Sequence, residues 1–470
     1  MVFNTRAFLF FIIIVYSLFW TIPRSYRPIF LLIASYFFYG FLEPILTLLL
    51  LAVTIASFLI AQKIEKAQTK FTRKLFLILG LVLLISPLIY FKYFNFITEN
   101  LNTITGSSIP LYNIILPVGI SFFTFQVVGY MIDVYRAELN AERSFITFAL
   151  FKSFFPQLVA GPIERAHHLL PQLATIKDKN YSSDNFYLGL KIILWGLFKK
   201  TVIADRLAQF VDPIYNNAAT FDGLTLLIAT VFFAFQIYCD FSGYSDMAIG
   251  IARFFGVDLM KNFNRPYFAS SVTDFWRRWH ISLSTWFKDY VYLPLGGNKV
   301  SNWHWCLNII IVFTISGFWH GAKWTFVIWG LVHGLALIIN KFSNIKLPQV
   351  INFALTFIFV NLTWVFFRAN TLEDAFLIIE RLFTETFSNS AWDTFILQIQ
   401  DIGFDINTVI FLTLLIIILL FLENLQKEDL MPKWFLSSNP FLRISFIYGI
   451  LISIIYFGYF GKSSFIYFQF

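Results

Sequence analysis

Long apolar runs recur along the whole chain and restrict what it can fold into. Of its 470 residues, 58% are hydrophobic and only 13% are charged, whereas soluble domains carry about 25% charged residues. A transmembrane helix needs about 20 mostly apolar residues, and runs approaching that length extend from 7–22 to 441–460. The sequence therefore predicts an all-α membrane protein, a multi-span helical bundle of about 11 spans with additional re-entrant and interfacial helices.

The charges between the first runs predict how the chain crosses the membrane. Spans are predicted at 7–22, 28–42, 44–61, 75–94 and 114–132. The loops between them alternate, because basic residues such as Arg24 and Arg27 occupy every second loop, while the loops at Glu43 and 95–113 carry none. Basic loops remain in the cytoplasm. We therefore expect an outside N-terminus, with 7–22 as a first span and not a cleavable signal.

The end of the chain follows the same rule. The segment 382–407 carries acidic but no basic residues, whereas Lys427 and Lys433 follow the run 408–423. The last span, 441–460, should then leave the C-terminus outside. Because the net charge of +8 lies in such short loops, it predicts a lipid bilayer as partner and no nucleic acid.

The middle of the chain has shorter apolar runs, which prolines at 156, 162, 171 and 266 interrupt. Irregular backbone at membrane depth is tolerated only where it is buried in protein or lines a cavity. The sequence therefore predicts a central funnel or cavity. With no flexible linker in view, we expect one domain over 1–470.

His320 is the first candidate for chemistry, because an ionisable ring inside an apolar run is costly and is often functional. Gly317 and Gly321 lie four residues apart, a spacing that lets another helix approach closely. We expect His320 beside such a crossing, on a rigid element suited to a catalytic base. The alternative is a buried histidine that only hydrogen-bonds a neighbouring helix.

The block 275–297 is the second candidate. As one amphipathic helix it would place Trp276 and His280 on the same face. Tryptophans provide flat apolar walls, and Arg277 with Arg278 could hold phosphate or carboxylate groups. The alternative is an interfacial helix anchored by Trp and Arg. The glycines at 296–297 should end it in a turn.

Other polar features favour structural roles. Within 240–246, Ser242 and Gly243 predict a helix break between two aspartates, which are structural or line the cavity. No metal site is expected, because no set of ligands converges there. The remaining candidates are interpreted as a hydrated loop (His167 and His168), a packing histidine (His333), an interfacial histidine (His304) and two apolar packing residues (Cys239 and Cys306).

Several motifs together resemble the membrane-bound O-acyltransferase family, and within it the alginate O-acetyltransferase branch. They lie in this order: 116–126, 155–162, 240–246, 275–297, 318–322 and 465–470. The resemblance implies a multi-helix bundle around a funnel with both termini on the outer face. It also implies that His320 matches the near-invariant active-site histidine, and that His280 matches a second motif position where members carry His or Asn.

The resemblance further implies the reaction. An acetyl group would pass from a cytoplasmic thioester, acetyl-CoA or another acyl thioester, to an exported polysaccharide, often through a separate extracytoplasmic acetyltransferase. We expect no bound cofactor, and a location in the bacterial inner membrane. His320 would act as the base and His280 would assist it. Trp276, Arg277 and Trp319 would bind substrate.

Two other functions remain open at this point. The first is D-alanyl transfer to teichoic acid, as in the sister branch that uses a carrier-protein thioester. The second is a non-enzymatic transporter of an acyl carrier or polysaccharide, which would explain a cavity but not the ordered motifs.

Overall fold

The computed structural model describes the chain except for residues 2, 42–43, 160, 344–346, 426–429, 438, 462–464 and 467–470. The described residues form helices and no strand, which confirms the all-α prediction. Within the described part of the chain, seven helices are long and apolar enough to cross a membrane: Pro44–Lys66, Lys70–Thr105, Gly223–Arg253, Trp324–Phe342, Gln349–Arg368, Ile406–Asn424 and Pro440–Phe457. Shorter apolar helices such as Arg6–Thr21 accompany them, as expected for a multi-span membrane bundle.

The first of two compact units comprises Met1–Ile193 and Met247–Lys261. Its helices are α1 (Arg6–Thr21), α2 (Arg27–Gly40), α3 (Pro44–Lys66), α4 (Lys70–Leu88), α5 (Phe94–Thr105), α6 (Ile120–Arg136), α7 (Phe145–Ser153), α8 (Phe155–Leu158) and α9 (Ala166–Ala174). Small residues bring some of these helices together. A Cβ added to Gly80 of α4 would lie 2.8 Å from the sulfur of Met131 on α6, so a larger residue there would require the flexible Met131 side chain to shift.

The second unit comprises Leu194–Asp246 and Asn262–Phe470. The helices from residue 183 onward are α10 (Ser183–Leu197), α11 (Asp205–Asn216), α12 (Gly223–Arg253), α13 (Val272–Arg278), α14 (Ile281–Phe287), α15 (Asn302–His320), α16 (Trp324–Phe342), α17 (Gln349–Arg368), α18 (Leu372–Thr384), α19 (Ala391–Asp401), α20 (Ile406–Asn424) and α21 (Pro440–Phe457). Of these, α10 and α12 contribute residues to both units. A π-helical segment, Phe198–Ala204, joins α10 to α11.

The α15–α16 hairpin contains the tightest helix crossing near the candidate histidines. A Cβ on Gly317 would lie 2.2 Å from the carbonyl oxygen of Phe326 and 3.1 Å from the Cα of Gly330. The two backbones are therefore in direct contact, which confirms the small-residue prediction for Gly317. Gly321 lies beyond the helix, in extended backbone, so the predicted pairing of Gly317 and Gly321 on one helix face was wrong.

The predicted helix break at Ser242 and Gly243 was also wrong, because α12 continues without interruption from Gly223 to Arg253. The hydroxyl of Ser242 accepts a hydrogen bond from the Lys199 ammonium at 3.0 Å. A Cβ on Gly243 would lie 2.7 Å from the carbonyl oxygen of Gly196. These small side chains make room for a neighbouring segment and do not end the helix.

The two aspartates of that motif form buried ion pairs. Lys199 lies 2.6 Å from Asp246, and Lys200 lies 2.6 Å from Asp240 and 2.8 Å from Asp205. All five side chains are less than a tenth exposed. Each buried charge thus lies beside an opposite charge, with Lys200 shared between two carboxylates, as buried ions require.

Most predicted spans agree with helices within a few residues, but the run 114–132 becomes helical only at Ile120. Some predictions fall on residues outside the described ones: the loop residue Glu43, the motif residue Ala160, Lys427, the side chain of Lys433 and the end of the C-terminal motif at 467–470. The orientation across the membrane and the single-domain assignment stay predictions.

Candidate active site

The second unit brings the two predicted catalytic histidines together. The ring centroids of His280 and His320 are 6.3 Å apart, although 40 residues separate them in sequence. His280 is 0% exposed and His320 is 2% exposed. Trp319 contacts both rings, at centroid distances of 6.1 Å to His280 and 5.0 Å to His320. These three predicted site residues therefore form one buried cluster.

His320 is the last residue of α15, where the helix meets a wall of aromatic rings. Its ring lies 5.1 Å from Trp329 and 5.4 Å from Phe367, both edge-on. The chain then leaves the helix through Gly321, where an added Cβ would lie 2.1 Å from the Phe326 ring. The crossing at Gly317, one turn earlier, fixes the end of α15 against α16, so His320 has little freedom to move.

His280 lies where the block 275–297 changes direction, and the prediction of one continuous helix was wrong. Helix α13 ends at Arg278 and α14 begins at Ile281. Between them His280 has φ 43° and ψ 54°, in the left-handed region. Histidine and asparagine are among the non-glycine residues that adopt this conformation most readily. Trp276 and His280 therefore belong to different elements and do not share a helix face.

The side chain of Asn262 contacts the His280 ring and the residues that follow it. Its Oδ1 lies 3.2 Å from the Nδ1 of His280 and also accepts hydrogen bonds from the backbone N–H and the hydroxyl of Ser282, at 3.3 Å and 2.9 Å. Its main-chain oxygen accepts from the N–H of Ile281 at 2.9 Å. These bonds at His280 and at the two residues after it hold the left-handed turn in place.

Burial sets the charge state of His280. The residue lies outside the seven candidate membrane-spanning helices, and burial lowers the pKa of its imidazole to about 3. Desolvation disfavours the charged ring. His280 is therefore neutral at physiological pH.

A third histidine, His333, has a different environment. The Trp276 indole N–H donates to the Nδ1 of His333 at 3.2 Å, and the Nε2 of His333 lies 3.0 Å from the Thr363 hydroxyl. That hydroxyl donates to the carbonyl oxygen of Val360 at 2.8 Å, so it accepts from the Nε2–H of the ring. Both ring nitrogens are thus used in packing, as predicted for His333.

A cavity of about 160 Å³ lies beside these residues. It is lined by Trp276, Leu283, Ser284, Phe287, Lys288, Tyr292, Ile309, Val312, Phe313 and Ser316. The last four form one face of α15, and His320 is the next residue along that face, four positions beyond Ser316. The Trp276 ring also contacts Trp329 at 5.6 Å, which in turn contacts His320. The cavity and the histidine cluster thus share a helix and a wall.

The predicted phosphate-binding arginines are placed differently. Arg277 is exposed and lies outside the lining of this cavity. Arg278 forms an ion pair with Asp274, with 2.9 Å between Nε and Oδ1. Lys288, which the motif analysis did not select, is the cation that lines the cavity, and it is also exposed to solvent. Its position one turn after the cavity residue Ser284 was the signal available in the sequence.

Comparison with known proteins identifies the family. Residues 136–370 match the family model for MBOAT, the membrane-bound O-acyltransferase family. The chain belongs to the membrane-bound O-acyltransferase family. It is therefore an acyltransferase, embedded in the membrane by several spans.

Three relatives show which members of the family this O-acyltransferase resembles. It is 40% identical to a peptidoglycan O-acetyltransferase of Helicobacter pylori over 81% of this chain and 79% of that protein. It is also 40% identical to a probable alginate O-acetylase, AlgI, of Pseudomonas aeruginosa, over 82% and 75%. A teichoic acid D-alanyltransferase of Streptococcus thermophilus is 29% identical over 47% and 56%.

The remaining histidines of this O-acyltransferase lie apart from the cluster. His304 is exposed, and its Nδ1 lies 2.8 Å from the Ser301 hydroxyl, while its place at the membrane interface stays a prediction. The hydrated-loop prediction was wrong for His167 and His168, because both lie in α9, and the Nδ1 of His168 lies 2.7 Å from the buried carboxylate of Glu164. That hydrogen bond raises the pKa of His168, and burial raises the pKa of Glu164.

Among the described residues of the O-acyltransferase, no group of three or more His, Cys, Asp or Glu side chains could hold a metal ion. Cys239 is buried and Cys306 is partly exposed, and both are free thiols. Neither thiol contacts the histidine cluster through any interaction described above.

Proposed function

We propose that this chain transfers an acetyl group from a cytoplasmic acyl thioester toward an exported or cell-surface polysaccharide, with His320 as the general base. The observation that carries this proposal is the buried pair of His320 and His280 at the end of α15. Neutral imidazole accepts a proton near physiological pH, and a base must be held rigidly to be effective. Both conditions favour His320, which packed aromatic rings surround.

The chemistry follows from this arrangement. The hydroxyl oxygen of the acceptor attacks the thioester carbonyl, so that an O–C bond forms and the C–S bond breaks. His320 takes the hydroxyl proton, which then passes to the departing thiolate, so the atoms and charges balance. The carbonyl oxygen gains negative charge on the way and needs N–H donors nearby.

The cavity along α15 is the proposed route for the donor. Its lining is mostly aromatic and aliphatic, with Trp276 among its walls and Lys288 as its cation. An apolar passage suits the arm of a thioester, and a lysine ammonium suits a phosphate at its entrance. In this proposal Lys288 replaces Arg277 as the phosphate-binding residue, and Trp319 walls the reaction centre.

The relatives support acetyl over D-alanyl transfer. The names of the two 40% identical proteins refer to O-acetylation, of peptidoglycan in one and of alginate in the other. The teichoic acid D-alanyltransferase is more distant and matches about half of the chain. We therefore propose a glycan acceptor, an extracytoplasmic acetyltransferase as partner, and the bacterial inner membrane as location. Acetyl-CoA or another acyl thioester would be the donor, with no bound cofactor.

The test is His320→Ala in the full-length chain, expressed in host cells whose own copy of the gene is deleted. Ester-bound acetate on the extracted cell-surface polysaccharide is released by mild alkali and quantified by mass spectrometry. Loss of a general base lowers the rate by about 10²- to 10⁴-fold, so the acetate should fall to background. The exposed His304→Ala variant is the matched control and should retain wild-type acetylation.

Near wild-type acetylation by His320→Ala, at equal membrane abundance, would refute the assignment of His320. Release of alanine in place of acetate would identify the D-alanyl reaction. Export of polysaccharide that depends on the chain but survives loss of both histidines would favour a transporter.

A further inference from the structure

Asn262 is buried beside the histidine cluster and uses both ends of its side-chain amide. It is 1% exposed. The oxygen Oδ1 faces Ser282 and His280, while the nitrogen Nδ2 donates to the Ser245 hydroxyl at 3.2 Å. The acyl transfer itself does not require an amide here, because an amide neither takes up nor releases a proton at neutral pH.

The surroundings fix which way this amide points. The backbone N–H of Ser282 can only donate a hydrogen bond, and it lies 3.3 Å from the Asn262 atom that faces it. That atom must therefore be the carbonyl oxygen, since an NH₂ group there would oppose another donor. The Ser245 hydroxyl on the opposite side is satisfied by the NH₂ group.

The direction of the amide decides the tautomer of His280. An amide oxygen only accepts hydrogen bonds, so the Nδ1 of His280, 3.2 Å away, must carry the proton. In the neutral ring the lone pair is then on Nε2. A neutral His280 held in this way can accept a hydrogen bond at Nε2 but cannot donate one there.

We propose that Asn262 is a positioning residue that holds His280 as the Nδ1–H tautomer, so that His280 serves the reaction as a hydrogen-bond acceptor. The role of His280 in the reaction rests on the proposed function, whereas the assignment of its tautomer is independent of that function. With this tautomer the two histidines have different roles. His320 takes up the proton, while His280 orients a hydroxyl or a protonated partner ring. The oxyanion of the reaction is then met by other N–H donors.

The first test measures the tautomer directly. The full-length chain is labelled with ¹⁵N-histidine and reconstituted in phospholipid nanodiscs, and the ring nitrogens are observed by NMR between pH 6 and pH 8. Protonated and unprotonated ring nitrogens have well-separated shifts. The signals that disappear in His280→Asn belong to His280. We expect a protonated Nδ1 and an unprotonated Nε2.

Three variants of the surroundings make the measurement specific. Asn262→Leu removes the acceptor at similar size, and should move the proton to Nε2 or mix the tautomers. Asn262→Asp keeps an acceptor and should restore the Nδ1–H form while raising the pH at which His280 titrates, because a carboxylate favours the charged ring. Ser245→Ala removes only the contact with Nδ2 and should leave the wild-type signals. An Nε2–H tautomer in the wild type, or unchanged signals in Asn262→Leu, would overturn the proposal.

The second test measures polysaccharide acetylation by the same variants. Loss of the partner that orients a metal-bound histidine lowers activity by about 10- to 100-fold, and we expect a loss of the same order for Asn262→Leu, with partial recovery in Asn262→Asp. Full activity of Asn262→Leu with an altered tautomer would refute the positioning role while leaving the proposed function intact. Full activity of His320→Ala would instead refute the proposed function, and the NMR result would still decide the tautomer.

Discussion

His280 and His333 are both fully buried in the second unit, yet their backbone conformations and hydrogen-bond partners differ. His333 lies in the regular helix α16, and its two ring nitrogens join Trp276 and Thr363 in a chain of hydrogen bonds. His280 lies in a left-handed break between two short helices, held at Nδ1 by Asn262 and beside His320. The backbone context and not burial distinguishes the two.

The two rings also have opposite tautomers. His333 accepts at Nδ1 and is protonated at Nε2, whereas His280 is protonated at Nδ1. A buried histidine near neutral pH is thus not a uniform kind of residue. Its neighbours decide which nitrogen keeps the lone pair, and a site can use one ring for packing and another for chemistry.

The largest expected effect comes from changing the backbone context of His280. His280→Val places a β-branched residue at positive φ, which costs about 1–3 kcal/mol, and it also removes the ring. We expect polysaccharide acetylation to fall by about 10²-fold, the loss typical of a misoriented reacting group, with lower thermal stability of the purified protein. His280→Asn tolerates the left-handed backbone and should be as stable as the wild type. Equal stability of both variants would show that the turn does not constrain this position.

A smaller effect, on stability, is expected from His333→Phe. The substitution keeps an aromatic ring but leaves the Trp276 N–H without its acceptor, and an unsatisfied buried donor costs about 1–3 kcal/mol. Thermal unfolding in detergent should therefore occur at lower temperature, while acetylation per folded molecule should fall far less than in His320→Ala. If acetylation were abolished at unchanged stability, His333 would belong with the reactive histidines.

The smallest effect concerns the cavity along α15. Lys288→Glu reverses the charge of the one lysine in its lining, and exposed charge contacts contribute about 0.2–1 kcal/mol. We expect a several-fold higher KM for a phosphate-bearing thioester donor in reconstituted vesicles, with little change in kcat. The exposed Lys299→Glu is the matched control for net charge. Equal effects of both substitutions would remove Lys288 from the donor route.

Much of this arrangement could be predicted from local patterns. The apolar runs predicted the helices, and the small residue Gly317 predicted the close crossing. The ionisable ring inside an apolar run indicated His320 as a candidate. These features are local in sequence, since helix length and small-residue spacing depend on neighbours only a few positions away.

The wrong predictions of secondary structure concern positions where contacts with distant segments override the local conformational preference. No glycine or proline marks the break at His280, where hydrogen bonds from His280 and Ser282 to Asn262 hold the backbone in place. Ser242 and Gly243 looked like a helix end, but they accommodate Lys199 and the carbonyl of Gly196. A single sequence does not show which segments will meet in this way.

The paired lysines of the π-helical segment have a consequence for how the chain enters the bilayer. Lys199 and Lys200 are neutralised by Asp246 and Asp240 of α12, and by Asp205. Alone in hydrocarbon, each ammonium would oppose insertion by about 2.5–3.5 kcal/mol. Lys199 gains Asp246, and Lys200 gains its second carboxylate Asp240, only once α12 has been synthesised, so we expect the burial of both lysines to be completed after α12 emerges.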